Sequence, residues 1–156
     1  MRRTVQKRNK TVRLRVKKAL DRRKYIKKFT PTIEQCQSWF RILNRGMFGS
    51  NLTQPILIVR RMINDWGLCV VDWDNRKCRA GTFDQRVIPY HLGDNLSYRI
   101  ELHNKFPRWK DFIETLAHEM VHLYQMQVWK DPYSNHNSYF HSWKNLFRQH
   151  NLRLYR

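Results

Sequence analysis

Residues 109–129 read WKDFIETLAHEMVHLYQMQVW, and the positions of their apolar side chains decide the fold. Ile113, Leu116, Met120 and Leu123 recur at steps of three and four, the period of an α-helix with one buried face. The same stretch holds His118-Glu119-Met120-Val121-His122, an H-E-x-x-H pattern. At ~100° per residue, His118 and His122 lie about 40° apart and one turn above each other. Two imidazole nitrogens so placed can reach one Zn²⁺ at roughly 2.0–2.1 Å. Glu119 lies about 60° further round, close enough to meet an activated water without having to bind the metal. The helix thus has a core face and a chemical face.

A tetrahedral catalytic zinc site needs a third protein ligand and one open position. His136, His141 and His150 follow the helix. His136 is favoured, because the loop 130–137 reverses at Pro132 and can carry it back over the helix. His141, on the final helical segment, faces the same region and reads as a surface histidine or as support for a ligand. Without a metal, Glu114, four residues before His118, offers that histidine a carboxylate partner.

Outward from this helix, Tyr98, Ile100 and Leu102 alternate with Arg99, Glu101 and His103, the mark of a half-buried strand. Earlier strands are expected at Pro55 to Arg60, Gly67 to Trp73 and Cys78 to Phe83, the last two joined by the turn Asp74-Asn75-Arg76-Lys77. Thr30-Pro31 reads as a helix start, with Thr30 as cap. Ile33, Cys36, Phe40, Leu43 and Met47 then follow at steps of three and four. A last helix is expected from about Tyr139 to His150, with Phe140, Trp143, Leu146 and Phe147 on one side. Short strands among helices make an α+β domain over 30–156, with a sheet packed on helices.

Residues 1–29 differ in kind. Of 31 Lys and Arg in the chain, fourteen fall within residues 1–28, against one acid, Asp21. They are Arg2, Arg3, Lys7, Arg8, Lys10, Arg13, Arg15, Lys17, Lys18, Arg22, Arg23, Lys24, Lys27 and Lys28. The whole chain carries +19, so this basic arm supplies most of the charge. Such density suits DNA or RNA phosphates, bound without sequence preference and in a salt-dependent way. Tyr25 is the only aromatic there, so base stacking is not the expected mode.

Other classes fall away. Hydrophobic content of 41% excludes disorder of the whole chain. No apolar run approaches the ~20 residues of a bilayer span, and no apolar segment follows the basic N-terminus as in a secretory signal. Cys36, Cys69 and Cys78 form no C-x-x-C pair, which favours a reducing compartment over a disulfide framework. The expectation is a soluble intracellular protein, cytoplasmic or nucleoid-associated, with no membrane partner.

The stretch Glu114 to Phe147, ETLAHEMVHLYQMQVWKDPYSNHNSYFHSWKNLF, resembles the core of the SprT-like metalloprotease family. The resemblance rests on T-L-x-H-E-M-x-H-x-Y, a loop, and an H-x-x-x-F-H element at His136 to His141. It extends more loosely over about 120 residues, back to the helix at 32–47. It implies a zincin-like fold with His118, His122 and His136 as zinc ligands and Glu119 as general base. It also implies protein substrates, including proteins crosslinked to DNA. Where family members commonly carry glycines beside the third histidine, this chain has Asn135 and Asn137. Asn tolerates left-handed backbone better than most residues, so the loop can survive the change.

On this view zinc activates water and polarises the scissile carbonyl, and Glu119 moves the proton. The strand Tyr98–Leu102, with Tyr98 and Ile100, is expected to hold an extended peptide as a sheet edge does. Tyr139 and His141 are the nearest candidates for an oxyanion contact, although packing or surface roles suit both. The competing function is a structural or packaging protein on nucleic acid with an idle zinc site. Glu119 separates the two, since a structural site has no use for a base and closes all four positions.

Overall fold

The computed structural model describes residues 29–81, 87–132 and 134–155. They form an α+β unit: helix α1 (Ile33–Met47), strands β1 (Ile56–Arg60), β2 (Gly67–Trp73) and β3 (Arg76–Arg79), a 3₁₀ segment (Tyr90–Asn95), strand β4 (Ser97–His103), then helices α2 (Trp109–Gln127), α3 (Ser138–His141) and α4 (Lys144–Gln149). None of these helices is long and apolar enough to cross a membrane. The fourteen basic residues of 1–28 lie outside the described residues. Phe29, counted with the arm from its sequence, exchanges two main-chain hydrogen bonds with Phe106 and packs on Phe112.

Helix α1 starts two residues later than Thr30-Pro31 suggests. Thr32 is the cap: its hydroxyl accepts from the Gln35 N–H at 3.1 Å, and the Gln35 amide oxygen accepts from the Thr32 N–H at 2.9 Å. This reciprocal box satisfies two donors that a start at Thr30 would leave open. Cys36, Phe40, Leu43 and Met47 face the core, whereas Ile33, at the first turn, is 38% exposed.

The four strands form one mixed sheet in the order β1-β4-β2-β3. β4 runs parallel to β1 and antiparallel to β2, which pairs antiparallel with β3. β4 is therefore an interior strand, bonded along both sides. This overturns the expectation that Tyr98–Leu102 is an edge for substrate. Its main-chain groups are spent within the sheet, and Ile100 is fully buried in the core. Glu101, expected on a wet face, is buried too. Its carboxylate accepts from Arg60 of β1 at 2.8 Å and lies 3.5 Å from Arg99, which also pairs with Asp72 of β2. Burial pushes the Glu101 carboxyl up, but the Arg60 hydrogen bond and the two cations outweigh it and hold it below its usual value. The sheet's polar face is closed by ion pairs.

Helix α2 lies against β2 with Phe112, Leu116, Met120 and Leu123 fully buried. The approach is close because position 67 has no side chain: a Cβ there would stand 2.8 Å from Thr115 Cγ2 and 3.0 Å from Glu119 Cγ. The terminal helix is broken into α3 and α4. The Ser142 hydroxyl donates to the Tyr139 carbonyl at 2.6 Å, and the Trp143 N–H turns to the Phe140 carbonyl three residues back. A side-chain bond of this kind competes with the helical ladder and tightens the turn.

Candidate metal centre

Helix α2 presents His118 and His122 on one face, as the spacing requires. The chain then reverses through Lys130 and Ser134, both with left-handed backbone (φ 54° and 46°), and returns His136 to that face. The left-handed position is thus Ser134, and neither neighbouring Asn takes it. The Nε2 atom of His136 lies 3.4 Å from that of His118 and 3.3 Å from that of His122. One donor nitrogen from each of the three rings falls within 4.8 Å of the others. A tetrahedral ion with bonds of ~2.0–2.1 Å spaces its nitrogens by about 3.3–3.4 Å, so the cluster can hold a divalent metal.

The rings are set by their surroundings. Phe140 of α3 stacks on His122 at 4.9 Å and meets His118 and His136 edge-on at 5.0 and 4.6 Å. Gly81, with φ of 80°, closes the other side, where a Cβ would come within 2.9 Å of His136 Cε1 and 3.4 Å of His122 Nε2. Burial, then the neighbouring His136, pushes His118 down to about 4, a hydrogen bond to the Tyr155 main chain opposing. Burial, then His118, pushes His122 down to about 3. Both rings are therefore neutral near pH 7 and keep a lone pair for a metal.

Glu119 is buried beside the cluster, with Oε1 3.9 Å from His118 Nε2. Burial pushes its carboxyl up to about 8. Arg79 of β3 favours its charged form and Asp65 opposes it, the two forming an ion pair at 2.7 Å. A cation bound by the histidines would favour the carboxylate strongly. Three imidazoles with one buried carboxyl adjacent offer a divalent metal three nitrogen donors among the described residues.

The other sequence candidates stand apart from the cluster. His141 is half-buried on α3 with Nδ1 lacking a hydrogen-bond partner among the described residues, and His150 is exposed after α4. Tyr139 is exposed and packs on Trp129 at 5.1 Å. Glu114 turns away from His118, towards Lys110 (3.7 Å) and the Arg153 N–H (3.3 Å). Cys36, Cys69 and Cys78 are buried free thiols. Sequence reasoning missed four polar residues behind the ligands: Gln125, Asp131, Ser134 and Asn137. Three lie in a loop rich in small polar types, where each reads as turn chemistry; only their burial reveals them. It also missed Gly67 and Gly81, whose close approaches are tertiary.

Comparison with protein-family models, with curated proteins and with solved structures found no match.

Proposed function

We propose that this protein is a zinc-dependent endopeptidase with a SprT-like, zincin-type catalytic domain, acting on proteins at or crosslinked to nucleic acid. The observation that carries the reading is the spacing of the three Nε2 atoms beside the buried Glu119 carboxyl. His118, His122 and His136 hold the ion. Zinc bound there supplies Lewis acidity for water and the scissile carbonyl. Glu119 takes a proton from the attacking water and returns it to the leaving amine. A cation held by the histidines would favour the ionised carboxylate that this duty requires.

With β4 occupied on both sides, the edge strand that leads directly to Gly81 and could take an extended peptide is, among the described residues, β3. The arm's fourteen cations support targeting to DNA or RNA, by charge density alone. The packaging-protein alternative gains no support from a buried carboxyl beside three clustered imidazoles. The test is incubation of zinc-loaded protein with an unfolded basic protein, with and without DNA. Cleavage that needs zinc, is faster with DNA and is lost in Glu119→Gln supports the reading. Intact substrate in every zinc-loaded reaction sinks it.

A further inference from the structure

We propose that Gln125 is a positioning residue: its one amide decides which nitrogen of His122 faces the cluster and anchors the loop that carries His136. The inference deepens the metal-centre reading and rests on it for its meaning, though not for its first measurement. Gln125 is fully buried one turn beyond His122. Its Nε2 lies 3.0 Å from the Asn135 carbonyl, 3.1 Å from Asn137 Oδ1 and 3.3 Å from Asp131 Oδ2. All three are acceptors, and Asn137 Oδ1 already accepts from the Phe140 N–H while Asn137 Nδ2 donates to Asp131. The amide nitrogen, which alone carries hydrogens, must therefore point at the loop.

The amide oxygen is then committed to the other side, where it lies 2.8 Å from His122 Nδ1 and 3.3 Å from the Ser134 hydroxyl. A carbonyl oxygen cannot donate, so His122 Nδ1 carries the hydrogen. A neutral ring has one N–H, which leaves Nε2 bare, 3.3 Å from His136 Nε2. On the loop side the same amide grips the carbonyl of Asn135, the residue next to His136. The Ser134 hydroxyl, in reach of the His122 carbonyl at 3.1 Å, ties the loop to α2 a second time. Two proposed ligands, one on the helix and one on the loop, thus share one buried amide, and partners of this sort behind a ligand typically govern metal affinity about 10–100-fold.

Two substitutions separate the duties. Gln125→Glu keeps an acceptor for His122 but loses the donors to the loop; Gln125→Leu loses both. The experiment records long-range ¹H–¹⁵N spectra of the histidines in the metal-free full chain, then titrates Zn²⁺ against a competing chelator. The wild type should show His122 with the proton on Nδ1. Gln125→Glu should keep that signature with weakened Zn²⁺ binding. Gln125→Leu should lose the signature and bind Zn²⁺ about 10–100-fold more weakly. If the leucine variant does not fold, the wild-type spectrum and the glutamate variant still decide. A wild-type ring protonated on Nε2, or ring state and affinity unchanged in the variants, overturns the inference. A wild type that cleaves no protein sinks the proposed activity but leaves the ring-state result intact.

Discussion

Gly67 on β2 and Glu119 on α2 touch through the space a side chain would fill: a Cβ at position 67 would stand 3.0 Å from Glu119 Cγ and 3.2 Å from Oε1. The contact joins packing to chemistry, because the same missing methyl lets α2 settle on the sheet and sets the depth of the base. Gly67→Ala should therefore destabilise the fold by about 1–3 kcal/mol through overpacking. It should also lower hydrolysis more than zinc binding, since Glu119 is displaced and the ligands are not. Combining it with Thr115→Ser, which removes the Cγ2 atom 2.8 Å away, should recover part of the stability. Denaturant unfolding of the single and double variants checks this; a neutral Gly67→Ala contradicts it.

Glu119→Gln should retain its fold and zinc while losing about 10²–10⁴-fold in turnover, because the amide keeps the shape but cannot take a proton. Zinc content and cleavage rate measured on the same preparation decide it. Unchanged turnover removes the base from the mechanism.

The metal-free protein should be less stable on both sides of about pH 6.5, as far as these buried groups decide. His118 and His122 have folded values near 4 and 3 against 6.5 unfolded, so stability falls with pH below 6.5 as the unfolded chain alone takes up protons. Glu119 has the opposite sign: raised from 4.5 to about 8, it withholds ionisation that the unfolded chain gains, and stability falls as pH rises towards 8. Between those limits two histidines outweigh one carboxyl on the acid side. Glu119→Gln should flatten the decline above pH 6.5 and steepen the acid limb between about pH 4.5 and 6.5, where the carboxyl no longer opposes the two histidines. Urea unfolding across pH, in chelator, measures both limbs; an alkaline limb identical in the variant contradicts the assignment.

Deleting residues 1–28 removes fourteen cations and one acid but no proposed ligand. The truncated chain should bind zinc and cleave a free unfolded peptide, yet bind duplex far more weakly. For every phosphate that the arm no longer neutralises, the slope of log K against log salt should become shallower by about 0.9. Equal affinity and slope for both chains would place nucleic-acid binding elsewhere.

How much of this was legible in the sequence follows from the range of each interaction. The register of His118, Glu119 and His122 was legible because it depends only on helical period. The return of His136 was legible in outline from Pro132, but the left-handed turn fell on Ser134, for which the sequence carries no signal. Strand periodicity located β4 within a residue at each end, yet not its neighbours. Strand order depends on pairings across the chain, so alternation alone does not tell an interior strand from an edge, or a buried Glu101 from a wet one. The break at Ser142 turns on one hydroxyl, which apolar spacing does not register. Gln125 sits in a helix where its type reads as solvated, and only the fold shows it enclosed.

Every step of the proposed chemistry depends on one zinc ion held by His118, His122 and His136. Zinc-edge X-ray absorption of the loaded full chain, with zinc content measured on the same sample and on His136→Ala, puts that ion to the test. One zinc per chain is expected, with at least three nitrogen scatterers at ~2.0–2.1 Å and loss of the metal in the variant. Sulfur scattering near ~2.3 Å, or full zinc occupancy in His136→Ala, would contradict it.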